Sequence, residues 1–343
     1  MRSIAVLMTG AVLAAATACG GVHSPGATVP GDHPRALRIG LAYDIGGRGD
    51  KSFNDAAADG LDDARRSLGL LQVQEVAAQP GEPESAKVNR LRLMAKAGYS
   101  PIIAVGYAYS DAVKDVAPKF PGTKFAIVDD SVASGPNVTN LLFAEEQGSF
   151  LVGAAAAMKS KTGDVGFVGG VESPLIKKFE AGYTQGVKYV NPRAKIEIAY
   201  LTKPPDLTGF DNAAKAQDAA QKMFAAGADV VYQAAGASGA GVFKAAQSAK
   251  GWAIGVDSDQ ARTADPSVRG LILTSMVKRV DVAVYDYIAN LMDGTVKSGR
   301  AVYDLKLGGV DYSTTGGHID DIQPRLEQLK QEIIIGKIRV SAG

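Results

Sequence analysis

The sequence predicts an α/β protein built from two lobes, each a doubly wound parallel sheet. Three observations point there. From Leu37 onward, short apolar runs alternate with longer amphipathic segments, the rhythm of strands and crossover helices. That rhythm runs to about Phe143–Glu145 and then starts again, giving two halves of ordinary domain size. Finally, 343 residues exceed one core, while 46% hydrophobic and 21% charged residues with 40 glycines suit a globular chain rich in strand–loop–helix joints.

The elements follow in order. "LRIGLAYD" (37–44) is a short apolar strand, and "SFNDAAADGLDDARRSLG" (52–69) has apolar positions at helical spacing and stops at glycine. "LQVQEVAA" (71–78) alternates as a strand; "PESAKVNRLRLMAKAG" (83–98) is an amphipathic helix. "PIIAVG" (101–106) and "KFAIVDD" (124–130) are strands around the helix "YSDAVKDVAPKF". After "NVTNLLF" the chain enters a small-residue helix ending near Lys159. The second half reads strand 164–170, helix 174–190, strand 195–201, helix 212–227, strand 228–235, helix "GAGVFKAAQSAK", and strands 251–257 and 270–277. A helix (279–294), short strands near 301–312 and a last helix near 321–336 complete the chain. The predicted division is 37–143 plus about 278–298 for lobe 1, and 144–277 plus about 299–343 for lobe 2.

The first residues have another character. "MRSIAVLMTGAVLAAATAC" carries one charge, Arg2, then an uncharged apolar run as long as a signal peptide and short for a membrane span. It ends in "AATAC" at the only cysteine, which resembles the lipidated cysteine of a bacterial lipoprotein. Residues 1–18 are therefore expected to be a signal peptide, Cys19 a lipid anchor, and the Gly- and Pro-rich stretch 19–36 a tether. A plain secretory peptide with a chance cysteine is the alternative.

In such folds ligands bind where strands end, so the strand-end residues are the candidates. Asp44 closes the first strand and leads to Phe53 and Asn54. Asp129, Gly236, Asp257 and Lys278 stand at later strand ends, and Phe210 lies in the loop "TKPPDLTGFDN". Two aromatic rings can sandwich a flat ligand, carboxylate and amide can read a heterocycle's polar edge, and a second carboxylate with a lysine suits a sugar diol. A purine nucleoside meets all of these together. Each residue also has a structural alternative. Phe53 can staple onto Ala58 beside an N-capping Asn54, and Asp44 can satisfy the glycine-rich turn. Asp129 and Asp257 can cap turns, Phe210 can pack under its loop, and Lys278 can be solvated.

Other classes fit less well. With 37 Lys and Arg against 36 Asp and Glu there is no basic field for nucleic acid. "GASGAG" (236–241) is not the dinucleotide pattern, and no phosphate-loop motif occurs. His318, the one histidine of the body, has no cysteine near it; His23 and His33 lie in the tether. No cofactor, metal or catalytic residue is expected.

The ordered pieces "YDIGGRGDKSFNDAAADGL", "FAIVDDSV", "PLIKKFEAGYTQGVKYVNP", "VVYQAAGASGAGV", "IGVDSDQ" and "TSMVKRVDVAVY" resemble the basic membrane protein lipoprotein family, which includes bacterial purine-nucleoside receptors. The resemblance spans Leu37 to about Gly309. It implies a type I periplasmic-binding-protein fold and a monomeric, lipid-anchored receptor that delivers guanosine, inosine or adenosine to an ABC permease at the outer face of the membrane. By position it implies that Asp44, Asn54 and Asp129 bond the base, Phe53 and Phe210 stack on it, and Gly236, Asp257 and Lys278 hold the ribose. The two prolines of the Phe210 loop depart from the family's shorter turn. A nucleoside- or sugar-sensing surface lipoprotein without a transport role is the alternative.

Overall fold

The computed structural model describes residues 37–69 and 72–343; the expected signal peptide, Cys19 and tether lie outside them. The first half contains β1 (Arg38–Tyr43), α1 (Phe53–Leu68), β2 (Gln72–Ala77), α2 (Glu84–Lys96), β3 (Ile102–Ala104), α3 (Ser110–Val116), β4 (Phe125–Val128) and β5 (Val138–Phe143). Helix α4 (Glu145–Lys159) leads to β6 (Asp164–Val171), α5 (Pro174–Val190), β7 (Lys195–Thr202), α6 (Ala213–Ala226) and β8 (Val230–Ala234). Then come α7 (Gly239–Ala249), β9 (Trp252–Asp257), the short α8 (Gln260–Thr263) and β10 (Ile272–Lys278). The tail holds α9 (Val280–Met292), β11 (Gly299–Tyr303), β12 (Val310–Tyr312) and α10 (Gln323–Ile334).

These strands form two six-stranded sheets of matching order, β11-β5-β4-β3-β1-β2 and β12-β10-β9-β8-β6-β7. All pairs are parallel except β12, which runs antiparallel to β10 at the edge. The placement of β11 differs from the sequence expectation. The sequence pattern places residues 299–303 in lobe 2, but β11 pairs in register with β5, Gly299 to Thr139 through Tyr303 to Phe143, and so belongs to the first sheet. The chain thus crosses between lobes through α4, after β10, and between β11 and β12.

Each sheet is covered on both faces, which explains why its strands read as apolar runs. In β1, Ile39, Leu41 and Tyr43 join a core with Ala57 and Leu61 of α1 and Val284 and Ile288 of α9. Ala42 points the other way, toward Leu91 and Met94 of α2 and Val113 of α3. In the second lobe, α6 and α7 supply Ala216, Ala220, Val242 and Ala246 to one face, while α4 and α5 cover the other. No helix among the described residues is long and apolar enough to cross a membrane.

Helices α4 and α5 meet at backbone distance. A Cβ on Gly186 would lie 2.0 Å from the Phe150 carbonyl oxygen, with no flexible atom able to yield. Gly186→Ala is therefore expected to cost about 3 kcal/mol. Gly122→Ala, where a Cβ meets nothing within 4 Å, should stay within about 0.5 kcal/mol. Urea midpoints of the two variants check this, and equal midpoints would contradict the close helix contact.

Candidate functional site

The carboxyl end of β1 turns into α1 through a loop organised by acid groups. Asp50 Oδ1 accepts from the Ser52 and Asp55 N–H groups at 2.9 and 3.0 Å, and its Oδ2 accepts from the Asn54 N–H at 2.8 Å. Asp55 reaches back, accepting from Gly49 and Lys51 N–H. Free N–H groups at a helix start favour such carboxylates. The capping work therefore falls to Asp50 rather than to Asn54. Asn54 instead accepts from the Asp44 N–H at 3.0 Å and donates to the Ile45 carbonyl and to Asp50 Oδ2. Both its amide protons are spent, leaving one lone pair on Oδ1. The residue holds Asp44 in place.

The other strand ends deliver their side chains to the same space. Asp129, just past β4, and Asp257, at the end of β9, occupy equivalent places in the two sheets. Both adopt left-handed backbone, φ 64° and 63°. Aspartate tolerates this conformation better than most residues, and it marks strain held by the surroundings. Phe210 closes a short 3-10 turn, its ring lying over Gly170, where a Cβ would come within 2.5 Å of it. Gly170 is the vacancy that seats the ring.

Lys278 ends β10 and is 1% exposed, so the solvated alternative does not hold. Its ammonium donates to Asp129 Oδ2 at 2.5 Å and lies 3.5 Å from Glu145 Oε1. The rings of Phe53, Phe143 and Phe179 surround it with centroids at 4.9, 5.2 and 5.4 Å. Burial works against this charge, but the carboxylates of Asp129, Glu145 and Asp257 outweigh it and hold the lysine above its usual pKa. Glu145 is itself buried and pairs on its other oxygen with Lys178 at 3.0 Å.

A second set of contacts joins the lobes. Ser52 Oγ donates to Asp257 Oδ2 at 2.7 Å, Ser258 Oγ donates to the Ser52 carbonyl at 3.0 Å, and Gln260 Nε2 donates to the Lys51 carbonyl at 2.9 Å. The loop before α1 is thereby tied to the loop after β9.

All eight strand-end and loop candidates, Asp44, Phe53, Asn54, Asp129, Phe210, Gly236, Asp257 and Lys278, line one interlobe cavity. Its empty volume is about 540 Å³, including the part open to solvent. Sequence reasoning missed Asp50, Tyr107, Ile176 and Phe179, which line the same cavity. Asp50 and Tyr107 were within reach of it, one as a helix-start acid and the other as the residue after a strand-end glycine. Ile176 and Phe179 lie on α5, where an apolar side chain reads as ordinary core. His318 lies elsewhere, its ring centroid 4.8 Å from that of Trp252.

Four lining carboxylates face one lining ammonium, and the carboxylates are unusually basic. Burial raises Asp44 to about 6, as it does Asp50, and pushes Asp129 up to about 7 against the pull of Lys278. These groups hold protons more tightly folded than unfolded. Between their ordinary range near pH 4 and about pH 7 the folded state carries more protons, so stability falls as pH rises through that window. The melting temperature of the ligand-free protein is expected to rise as pH is lowered from 7.5 to 5. A flat or falling profile in differential scanning calorimetry would contradict the buried-acid cluster.

Comparison with known proteins agrees with this geometry. A family model described as ABC transporter substrate-binding protein PnrA-like (Bmp) matches residues 37–343. The chain is 34% identical over 355 residues to the CD4+ T-cell-stimulating antigen of Listeria monocytogenes, covering 98% of this chain and 96% of that protein. It is 32% identical over 355 residues to the ABC transporter nucleoside-binding protein BmpA of Lactococcus lactis, covering 99% of each. Among solved structures, an ABC transporter solute-binding protein from Aeropyrum pernix matches with a TM-score of 0.77 at 29% identity, over 90% of this chain and 94% of that one. The chain belongs to the Bmp family of PnrA-like ABC transporter substrate-binding proteins.

Proposed function

We propose that the interlobe cleft captures purine nucleosides for an ABC importer, on a protein held to the outer face of the membrane by lipid on Cys19. The carrying observation is the composition of the cavity: a phenylalanine from each lobe, four buried carboxylates and one buried ammonium. Phe53 and Phe210 stack on the base, each contact worth about 1–3 kcal/mol. Asp44 and Asp129 accept from the base N–H groups. Asn54 fixes Asp44 and offers its remaining lone pair. Asp257 accepts from a ribose hydroxyl, Lys278 donates to one, and Gly236 lets the backbone come close.

The excess of negative charge selects a neutral ligand. A 5′-phosphate would bring further negative charge against buried carboxylates, and like charges in a closed site cost several kcal/mol. Recognition is also shared between lobes, with Asp44, Phe53, Asn54 and Asp129 on one and Phe210, Gly236 and Asp257 on the other. Ligand contact with both shifts the balance toward closure. The role is binding and delivery, without chemical change to the ligand.

Calorimetry tests the reading. Guanosine is expected to bind at least roughly 100-fold more tightly than guanosine 5′-monophosphate or free ribose, about 2.7 kcal/mol. Asp257→Ala should weaken nucleoside binding roughly 10- to 100-fold while changing free-base binding little. Tight monophosphate binding would remove the charge argument, and equal losses for nucleoside and base would remove the ribose role of Asp257. For the anchor, Cys19→Ala is expected to move the protein from the membrane to the soluble fraction. A wild-type Cys19 that mass spectrometry finds unlipidated would contradict it.

A further inference from the structure

Tyr107 opens the short 3-10 turn after β3 and lines the cleft. Its hydroxyl is buried and makes no hydrogen bond of ordinary distance and angle, although the Ser173 hydroxyl, at the start of α5 in the other lobe, lies close enough to interact with it. It shares the cavity lining with the carboxylates of Asp44 and Asp129. Asp129 Oδ1 is likewise buried and unpaired. A native protein rarely leaves such atoms unsatisfied, and two beside one cavity are the mark of a site completed by its occupant.

The wall can be read as a pattern of donors and acceptors. With the carboxyls ionised, only Asn54, Tyr107 and Lys278 among the described lining side chains carry N–H or O–H protons. Asn54 has spent both, and Lys278 is turned to Asp129 and Glu145. Tyr107 is left as the free neutral donor. On the same lining, the ionised Asp129 carboxylate can accept on Oδ1. Asp44 uses Oδ1 on the Ile45 N–H at 2.7 Å, leaving its second oxygen as another acceptor. The complement is a ring edge with two N–H groups and a carbonyl oxygen.

We propose that Tyr107 is a specificity-determining residue whose hydroxyl donates to the carbonyl oxygen of a 6-oxopurine, so that the cleft ranks guanosine above inosine and inosine above adenosine. This rests on the nucleoside reading above. Guanine offers two adjacent N–H groups and a carbonyl, meeting the two acid oxygens and the phenol together. Hypoxanthine lacks the 2-amino group and leaves one acid oxygen unmet. Adenine in the same register sets its N1 lone pair against a carboxylate and offers an amino group where the phenol needs an acceptor. That mismatch is a repulsive term as well as a lost bond.

The test is calorimetry on the wild-type protein and Tyr107→Phe with guanosine, 6-thioguanosine, inosine and adenosine, alongside ligand-free melting temperatures. Sulfur is a weak acceptor, so 6-thioguanosine deletes the partner of the phenol. The wild-type protein should favour guanosine over adenosine by at least roughly tenfold. Tyr107→Phe should lose about tenfold for guanosine and little for 6-thioguanosine, with a ligand-free melting temperature equal to or above wild type. Unchanged guanosine affinity, equal losses for both guanosines, a lowered melting temperature, or a wild-type preference for adenosine would each overturn the assignment. Wild-type protein that binds none of the nucleosides would instead defeat the reading on which it rests.

Discussion

Lys278 carries a full charge at 1% exposure, and that can persist only if partners are fixed around it. Desolvating an ammonium costs several kcal/mol, which a single carboxylate in poor geometry does not return. Here the partners come from distant parts of the chain. Asp129 follows a strand of the first sheet, Glu145 opens the first crossover helix, and three phenylalanine rings turn their faces or edges to the same point. Lys278 itself ends β10, directly before the second crossover. One cation therefore binds both lobes and the segments joining them, and it brings the carboxyl ends of the two sheets together. The cleft is the space that remains beside this cluster.

The matching strand orders give that cleft its two-sided character. Each lobe presents an aspartate in left-handed backbone at the end of the equivalent strand, Asp129 and Asp257. The two have diverged in partners. Asp129 is held by the ammonium on one oxygen and is unpaired on the other, whereas Asp257 accepts from Ser52 across the lobes. A strained backbone that points an acid into a cavity suits a site that takes hydrogen-bond donors from a ligand. The Ser52, Ser258 and Gln260 contacts fasten the same two loops without occupying the aromatic walls.

Much of this was legible in the sequence because strand ends have a fixed meaning in a parallel α/β fold. Once "GLAYD", "AIVDD" and "AIGVD" read as strands, their terminal aspartates were committed to one edge. Other features depend on long-range contacts that no local pattern encodes. β11 is short and half exposed, and its assignment to the first sheet rests on pairing with β5 far earlier in the chain. Burial of Lys278 requires Glu145, which in sequence is an ordinary acid at a helix start. Phe179 reads as a core position of an amphipathic helix, and only the packing of α5 turns it toward the ammonium. Asn54 lines the cavity, as its position at the strand–helix turn predicts, but its commitment to the loop depends on where Asp50 points.

Phe53 is an aromatic ring in a polar, glycine-rich loop, and its position explains why it stands there. Phe53 begins α1, with Asp50 holding the helix start behind it and the Lys278 ammonium within 4.9 Å of its ring. It forms one wall of a cavity whose other lobe contributes Phe210. A crystal structure of the protein grown with guanosine tests this account most directly. The account requires the base between Phe53 and Phe210, with the ribose against Asp257 and Lys278. Guanosine bound outside the interlobe cleft, or a cleft left empty with guanosine in excess, would contradict it.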